Sequence, residues 1–237
     1  MTSQPDPKTG QPVGLPVDTT PAKRPAPVTL QGRFGLLEKL DARHATALWP
    51  LVKDRDDIWT YMSRYGPFSG PAGFSEWMAD FSKGDDPFPY AIVSAEGHAV
   101  GFLALMRIEP AMRVIEVGHV LYSPALQRTP LATEAQYLLA RYVFERLGYR
   151  RYEWKCHSLN DASRSAALRL GFTFEGVHRQ LIIAKGRNRD TAWFSMLDSE
   201  WPERKRNFER WLAPENFTAD GRQKASLTAM NAGNRQQ

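Results

Sequence analysis

The chain predicts a mixed α+β fold, with a twisted, mostly antiparallel central sheet flanked by helices and one parallel crossover. Three observations carry that prediction. Three strand-like runs follow one another at 89–95, 99–108 and 113–122, separated only by the turn residues Glu96-Gly97 and by Pro110. Residues 129–147 then form the clearest amphipathic helix in the sequence, and residues 150–157 alternate as a strand directly after it. A meander followed by strand, helix and strand calls for antiparallel pairing with one right-handed parallel crossover.

The remaining elements fall around this centre. Residues 34–38 read as a short strand, and Asp41 is placed to cap a helix through about Leu51. A second helix is expected over 71–82, where Phe74, Trp77, Met78 and Phe81 recur at three and four residues. In the long helix, Ala135, Leu138, Leu139, Tyr142 and Val143 make one apolar stripe opposite Glu134, Gln136, Arg141 and Glu145. Thr129 suits its cap, Pro130 its first turn and Gly148 its stop. A short helix at 161–170, strands near 172–184 and 190–198, and a final helix at 199–212 complete the domain. Trp201, Phe208, Trp211 and Leu212 share a face of that last helix, which either packs on the same domain or pairs with a second copy in a homodimer.

Seven of the 17 prolines fall within residues 1–31, where each fixes φ and removes a donor, so a disordered leader is expected there. Residues 213–237, rich in Asn, Gln, Ala and Gly and without a period, are expected to be a flexible tail. The domain is thereby 32–212.

Composition excludes several classes. No apolar run approaches the roughly eighteen residues that would span a membrane. The start MTSQPDPKTG has neither the basic nor the apolar stretch of a signal peptide. One cysteine, Cys156, makes no intrachain disulfide, no Cys/His cluster has zinc spacing, and a reduced, cytoplasmic setting is expected. Of the net charge of +5, residues 1–31 carry +1 and residues 199–237 carry +2, which leaves +2 on the folded middle. That lacks the dense basic patch of a nucleic-acid footprint, and Arg204-Lys205-Arg206, flanked by Glu203 and Glu209, reads as a solvated helix face.

The junction of strand 113–122 with helix 129–147 is where chemistry is expected. First-turn amides have no intrahelical partner and the helix dipole is positive there, so such a junction binds anions. Arg128 adds a guanidinium fork, and Thr129 and Thr133 add hydroxyls suited to phosphate oxygens. An ordinary capped helix is the other reading of the same residues.

Three segments in order, QRTPLATEA from Gln127, NDASRSAALRLGF from Asn160, and FEGVHRQLIIAKGRNRDTAWFSMLDSEW from Phe174, resemble the GNAT superfamily of acetyl-CoA-dependent N-acetyltransferases. The likeness covers roughly residues 33–201 and is greatest to the branch that acetylates ribosomal-protein amino termini. It implies a sheet splayed where acetyl-CoA, a co-substrate needing no metal, is held. It also implies a pyrophosphate loop over Gln127, Arg128, Thr129, Pro130, Leu131 and Ala132. Pro130 stands at a glycine of that loop and supplies no N–H, while the amides of Arg128, Thr129, Leu131, Ala132 and Thr133 remain. The pantetheine arm is implied to lie along Val120, Leu121, Tyr122 and Ser123 as an added strand, with Asn160 and Ser163 contacting it.

The resemblance further implies acetyl transfer to a primary amine, on a protein N-terminus or a small molecule, by direct attack in a ternary complex. Glu116 matches the glutamate of the family's strand and, by alternation, shares a face with Gly118, Val120 and Tyr122. It serves either as general base, directly or through water, or as a salt-bridge partner or ammonium anchor. For the acid, the family's usual tyrosine position holds Ala167, which leaves Ser163 or Tyr122. Cys156 alternates with Tyr152 and Trp154 and reads as an inert buried thiol. His119 and His157 lie near the cleft without metal partners. Trp59, Tyr61, Tyr65, Phe68, Phe74 and Trp77 wall an acceptor pocket or fill a core, and Asp54, Asp56 and Asp57 attract a cationic amine or cap a helix. Pro130 and Ala167 leave open the alternative of a catalytically degenerate acyl-CoA sensor or scaffold.

Overall fold

A computed structural model describes residues 3–232. Its strands are β1 (Ser3–Pro5), β2 (Pro12–Gly14), β3 (Leu30–Gln31), β4 (Gly35–Lys39), β5 (Phe88–Ser94), β6 (Ala99–Glu109), β7 (Val114–Tyr122), β8 (Arg151–His157), β9 (Thr173–Ala184) and β10 (Arg187–Leu197). Its helices are α1 (His44–Val52), α2 (Pro71–Phe81), α3 (Pro130–Arg141), α4 (Asp161–Arg169), α5 (Trp201–Leu212) and α6 (Leu227–Ala232). Eight strands form one sheet in the order β3-β4-β5-β6-β7-β8-β10-β9. Every neighbouring pair is antiparallel except β7 with β8, which are joined through α3.

The sheet separates two apolar cores. On one face the α3 stripe (Leu131, Ala135, Leu138, Leu139) packs with Ile115, Val117, Tyr152, Trp154 and Cys156. On the other, α1 and α2 bring Leu48, Val52, Phe74 and Met78 against Ala91, Phe102 and Leu121. The face of α5 is settled by the first core: Trp201, Phe208, Trp211 and Leu212 are buried within the same chain, so they are not available to a second copy. Arg204 departs from the expected solvated face. It is buried beside Gly171, while Lys205 reaches Glu145 at 2.8 Å. No helix among the described residues is long and apolar enough to cross a membrane.

Both termini differ from expectation. β1 and β2 pair as an exposed hairpin, and residues 22–26 run along the domain. The Ala22 and Lys23 amides donate to Pro110 O and Leu147 O, and Ala26 bonds the Tyr142 and Tyr90 hydroxyls through its N–H and C=O. Proline forbids helix and interior strand but leaves an extended backbone whose remaining amides and carbonyls bond to the domain. At the other end, α6 buries Leu227 and Asn231 against α5 and α4. Asn207 Nδ2 donates to Met230 O and Asn231 Oδ1, and Asn216 Nδ2 to Trp211 O and Ala225 O. The asparagines that made this segment look featureless are the groups that fasten it. Residues 1–2 and 233–237 of the expected leader and tail lie outside the described residues.

Candidate active site

The sheet opens at its centre. β7 and β8 pair only over Val114–Val117 with Arg151–Trp154. Beyond that, β7 continues against β6 alone and β8 against β10 alone. Residues 118–122 and 155–157 therefore form a wedge whose facing main-chain groups belong to no ladder.

A bulge shapes the β7 wall. Phe102 faces Leu121 and Ala104 faces Gly118, so β7 carries two residues, His119 and Val120, opposite Leu103 alone. His119 takes φ 50° to accommodate the extra residue. Strict alternation would put Glu116, Gly118, Val120 and Tyr122 on one face, and the bulge corrects this. Ile115 and Val117 face α3 before it, and Val120 and Tyr122 face α3 after it, while Leu121 joins the α1/α2 core. Glu116 therefore looks out on the face opposite α3. Gly118 lies beside it, where an added Cβ would displace the flexible end of the Met106 side chain.

Glu116 is buried at the centre of a charge ladder. Its Oε2 lies 3.0 Å from Arg107 Nε and 2.9 Å from Lys155 Nζ. Lys155 continues to Glu153 at 2.7 Å and sits 3.6 Å over the Trp193 ring. Burial raises the Glu116 carboxyl above its ordinary pKa, with Lys155 and Arg107 opposing that shift. Of the two readings drawn from sequence, the salt bridge is present. The same carboxylate faces the wedge region from the side of α1 and α2.

The loop and first turn of α3 form the other wall. Arg128 adopts φ 62°, is exposed, and its guanidinium has no hydrogen-bond or ion-pair partner among the described residues. Thr129 caps α3 by accepting the Ala132 N–H at 3.2 Å and donates to Leu126 O at 2.7 Å. The Thr129 amide donates to Leu126 O. Of the amides expected to be free, those of Thr129 and Ala132 are thus engaged, whereas Arg128 and Leu131 show no backbone partner among the described residues. The Thr133 hydroxyl, expected for phosphate, accepts from Arg169 Nη1 at 3.0 Å. Gln127 Nε2 donates to Tyr122 O, and the Ser123 amide and hydroxyl both donate to Val100 O.

The proposed acids differ in freedom. The Tyr122 hydroxyl donates to Ala132 O and accepts from Gln136 Nε2, both at 2.9 Å, and burial pushes it well above its ordinary pKa. Ser163 Oγ accepts from Trp154 Nε1 at 3.0 Å, beside Cys156. Asn160 caps α4 through Oδ1 and keeps its amide nitrogen for another acceptor. Cys156 is buried, which raises its thiol pKa, and Ala167 is fully buried.

Sequence reasoning left Trp59, Tyr61, Tyr65, Phe68, Phe74 and Trp77 open between acceptor pocket and core; most of them fill or pack on the core, and Trp59 and Tyr61 also line a cleft. Trp59 and Phe74 are fully buried, while Tyr61 lines a cleft of about 500 Å³ with Ser63, His157 and Arg189. Tyr61 donates to Leu159 O at 3.0 Å, and Tyr65 shares a 2.6 Å hydrogen bond with His119 Nδ1. Lys185 donates to Trp59 O and Gly66 O, and Arg189 Nη1 to Ser63 Oγ. These β9–β10 residues were missed as site residues, because only the sheet order brings that hairpin beside the segment. Asp57 is taken by Arg55, while Asp56 lines the cleft. No group of three or more His, Cys, Asp or Glu placed to hold a metal occurs among the described residues.

Known proteins share this fold. Residues 36–173 match the acetyltransferase (GNAT) domain family. The crystal structure of a GCN5-related N-acetyltransferase from Brucella melitensis is 47% identical, with TM-score 0.87 over 90% of this chain and 97% of that one. A structure from Chromobacterium violaceum, named a probable GNAT-family acetyltransferase, is 42% identical, with TM-score 0.75 over 83% of this chain and all of that one. YdaF of Bacillus subtilis, provisionally named a ribosomal N-acetyltransferase, is 27% identical over 106 residues. That match spans 45% of this chain and 57% of the relative's length. A split sheet, a capped helix opening beside the split, and a family match over more than half of the sequence agree: the chain belongs to the GNAT acetyltransferase family.

Proposed function

We propose that the protein moves the acetyl group of acetyl-CoA to a primary amine by direct attack in a ternary complex. The wedge between β7 and β8 carries this reading, because an amide-bearing arm pairs with unladdered main-chain groups as a strand would. In it, the arm lies along Val120, Leu121 and Tyr122, with the Asn160 amide donating to it. The pyrophosphate meets the free amides of Arg128 and Leu131, the positive end of α3 and the Arg128 guanidinium.

The chemistry divides between the two faces that the His119 bulge creates. Glu116, on the face opposite α3, takes the amine proton through water, and Lys155 and Arg107 hold it in place. Ser163, which accepts from Trp154 Nε1 and lies against Cys156, relays a proton from water to the departing thiolate and so ends as the hydroxyl it began as. Tyr122 clamps the first turn of α3 instead of donating a proton. Cys156 takes no acetyl group, because burial keeps it a thiol.

Calorimetric titration with acetyl-CoA tests the reading. Micromolar binding is expected, weakened tenfold or more by Arg128→Ala, about 1.4 kcal/mol. Glu116→Gln is expected to bind acetyl-CoA as before and to lose roughly a hundredfold or more in kcat for amine acetylation. Absence of binding at millimolar acetyl-CoA, or binding without transfer to any amine, overturns it.

A further inference from the structure

The cleft of about 500 Å³ between residues 56–67 and the β9–β10 hairpin adjoins the wedge, since His157 belongs to both. Its charge is one-sided. Lys185, Arg187 and Arg189 line it, and Asp56 is the one carboxylate among its lining residues. None of the three cations has a carboxylate within ion-pair distance among the described residues. Lys185 is held by two backbone carbonyls, Arg189 by the Ser63 hydroxyl, and the Arg187 side chain is exposed with no partner among the described residues. His157 adds no charge near neutral pH, because burial and the neighbouring Arg189 lower its pKa. Its Nδ1 accepts the Leu159 amide, so the neutral ring carries its proton on Nε2 as a donor.

Such a pocket repels a simple cation and attracts an anion, and low-dielectric walls strengthen both effects. Resting on the acetyl-transfer reading, we propose that this cleft receives the acceptor and selects amines that carry a carboxylate close to the nitrogen. The carboxylate is either that of a free amino acid or the acidic side chains following a peptide's amino terminus. Arg187 and Arg189 would grip it, while the amine reaches past His157 toward the wedge and Glu116.

Equilibrium binding separates this proposal from the transfer reading, because it needs no turnover. Peptides beginning Ala-Glu-Glu, Ala-Ser-Ser and Ala-Lys-Lys, and free aspartate, are titrated into the full chain. The expected result is at least tenfold tighter binding of the acidic peptide, or of aspartate, than of the basic peptide. That preference should weaken from low to high salt and fall below about threefold in Arg187→Glu, a surface change on β10 that leaves both cores untouched. Whichever of aspartate and the acidic peptide binds tighter names the source of the carboxylate. Equal binding of acidic and basic peptides, including no binding of either at millimolar concentration, overturns the proposal, as does a preference that survives Arg187→Glu. Acetyl-CoA titration, performed separately, reports on the transfer reading alone.

Discussion

His119 is held in a strained backbone conformation and in an environment that penalises its charged form. Its backbone sits at φ 50°, where asparagine is favoured among ordinary residues, and its ring lies between Tyr65 and Phe81. Burial lowers its pKa from 6.5 to about 4. A depressed folded-state value means that the unfolded chain takes up the proton first as pH falls. The neutral ring thus costs no stability above about pH 6.5, and stability declines through the interval down to about 4, by roughly 3 kcal/mol in all. Urea unfolding of the wild type and His119→Asn at pH 7.5 and pH 5 checks this. The wild type should lose more on acidification, and an identical loss in both proteins would remove His119 from the account. Glu116 was legible as a residue because its neighbours match a family strand. Its facing was not, because alternation of two assumes no inserted residue, and nothing in Gly118-His119-Val120 announces a bulge.

At the scale of elements, α3 shows a compromise between folding and binding at Pro130. Proline presets φ for the first helical turn, and Thr129 caps that turn through Ala132 N–H. Both stabilise the helix while withdrawing donors from the place where a pyrophosphate would lie. Pro130→Gly is therefore expected to tighten acetyl-CoA binding severalfold and to lower stability by about 0.5–1 kcal/mol. Calorimetry and thermal melting on the same sample separate the two effects, and unchanged affinity would mean that the missing donor does not matter. The element order was readable because periods of two and of 3.6 are local, and β5, β6, β7, α3 and β8 begin and end within two residues of expectation except for one end. That exception is the close of α3, where the chain continues from Tyr142 to Leu147 as a wider π-helical turn before Gly148 reverses it at φ 80°. The β9–β10 hairpin was readable as strands but not as a wall of the cleft, since Lys185 and Trp59 stand 126 residues apart.

For the whole molecule, the C-terminal segment is part of the folded body. Asn231 Nδ2 donates to Arg169 O, and Arg169 in turn holds the Thr133 hydroxyl in the first turn of α3. Removing residues 213–237 exposes the surface that covers Leu227 and leaves Asn207 without its partners. A loss of about 3 kcal/mol, or roughly 10 °C in Tm, is expected together with weaker acetyl-CoA binding. A truncated protein melting with the full chain would return this segment to the status of a tail. The split between β7 and β8 has a wider consequence. The N-terminal half of the sheet, with α1 and α2, is stitched to the C-terminal half along a seam of four paired residues, Val114–Val117 against Arg151–Trp154. A molecule that bonded both lips of that seam would act as a removable suture, adding main-chain bonds to the few that join the two halves of the sheet above the apolar core they share under α3.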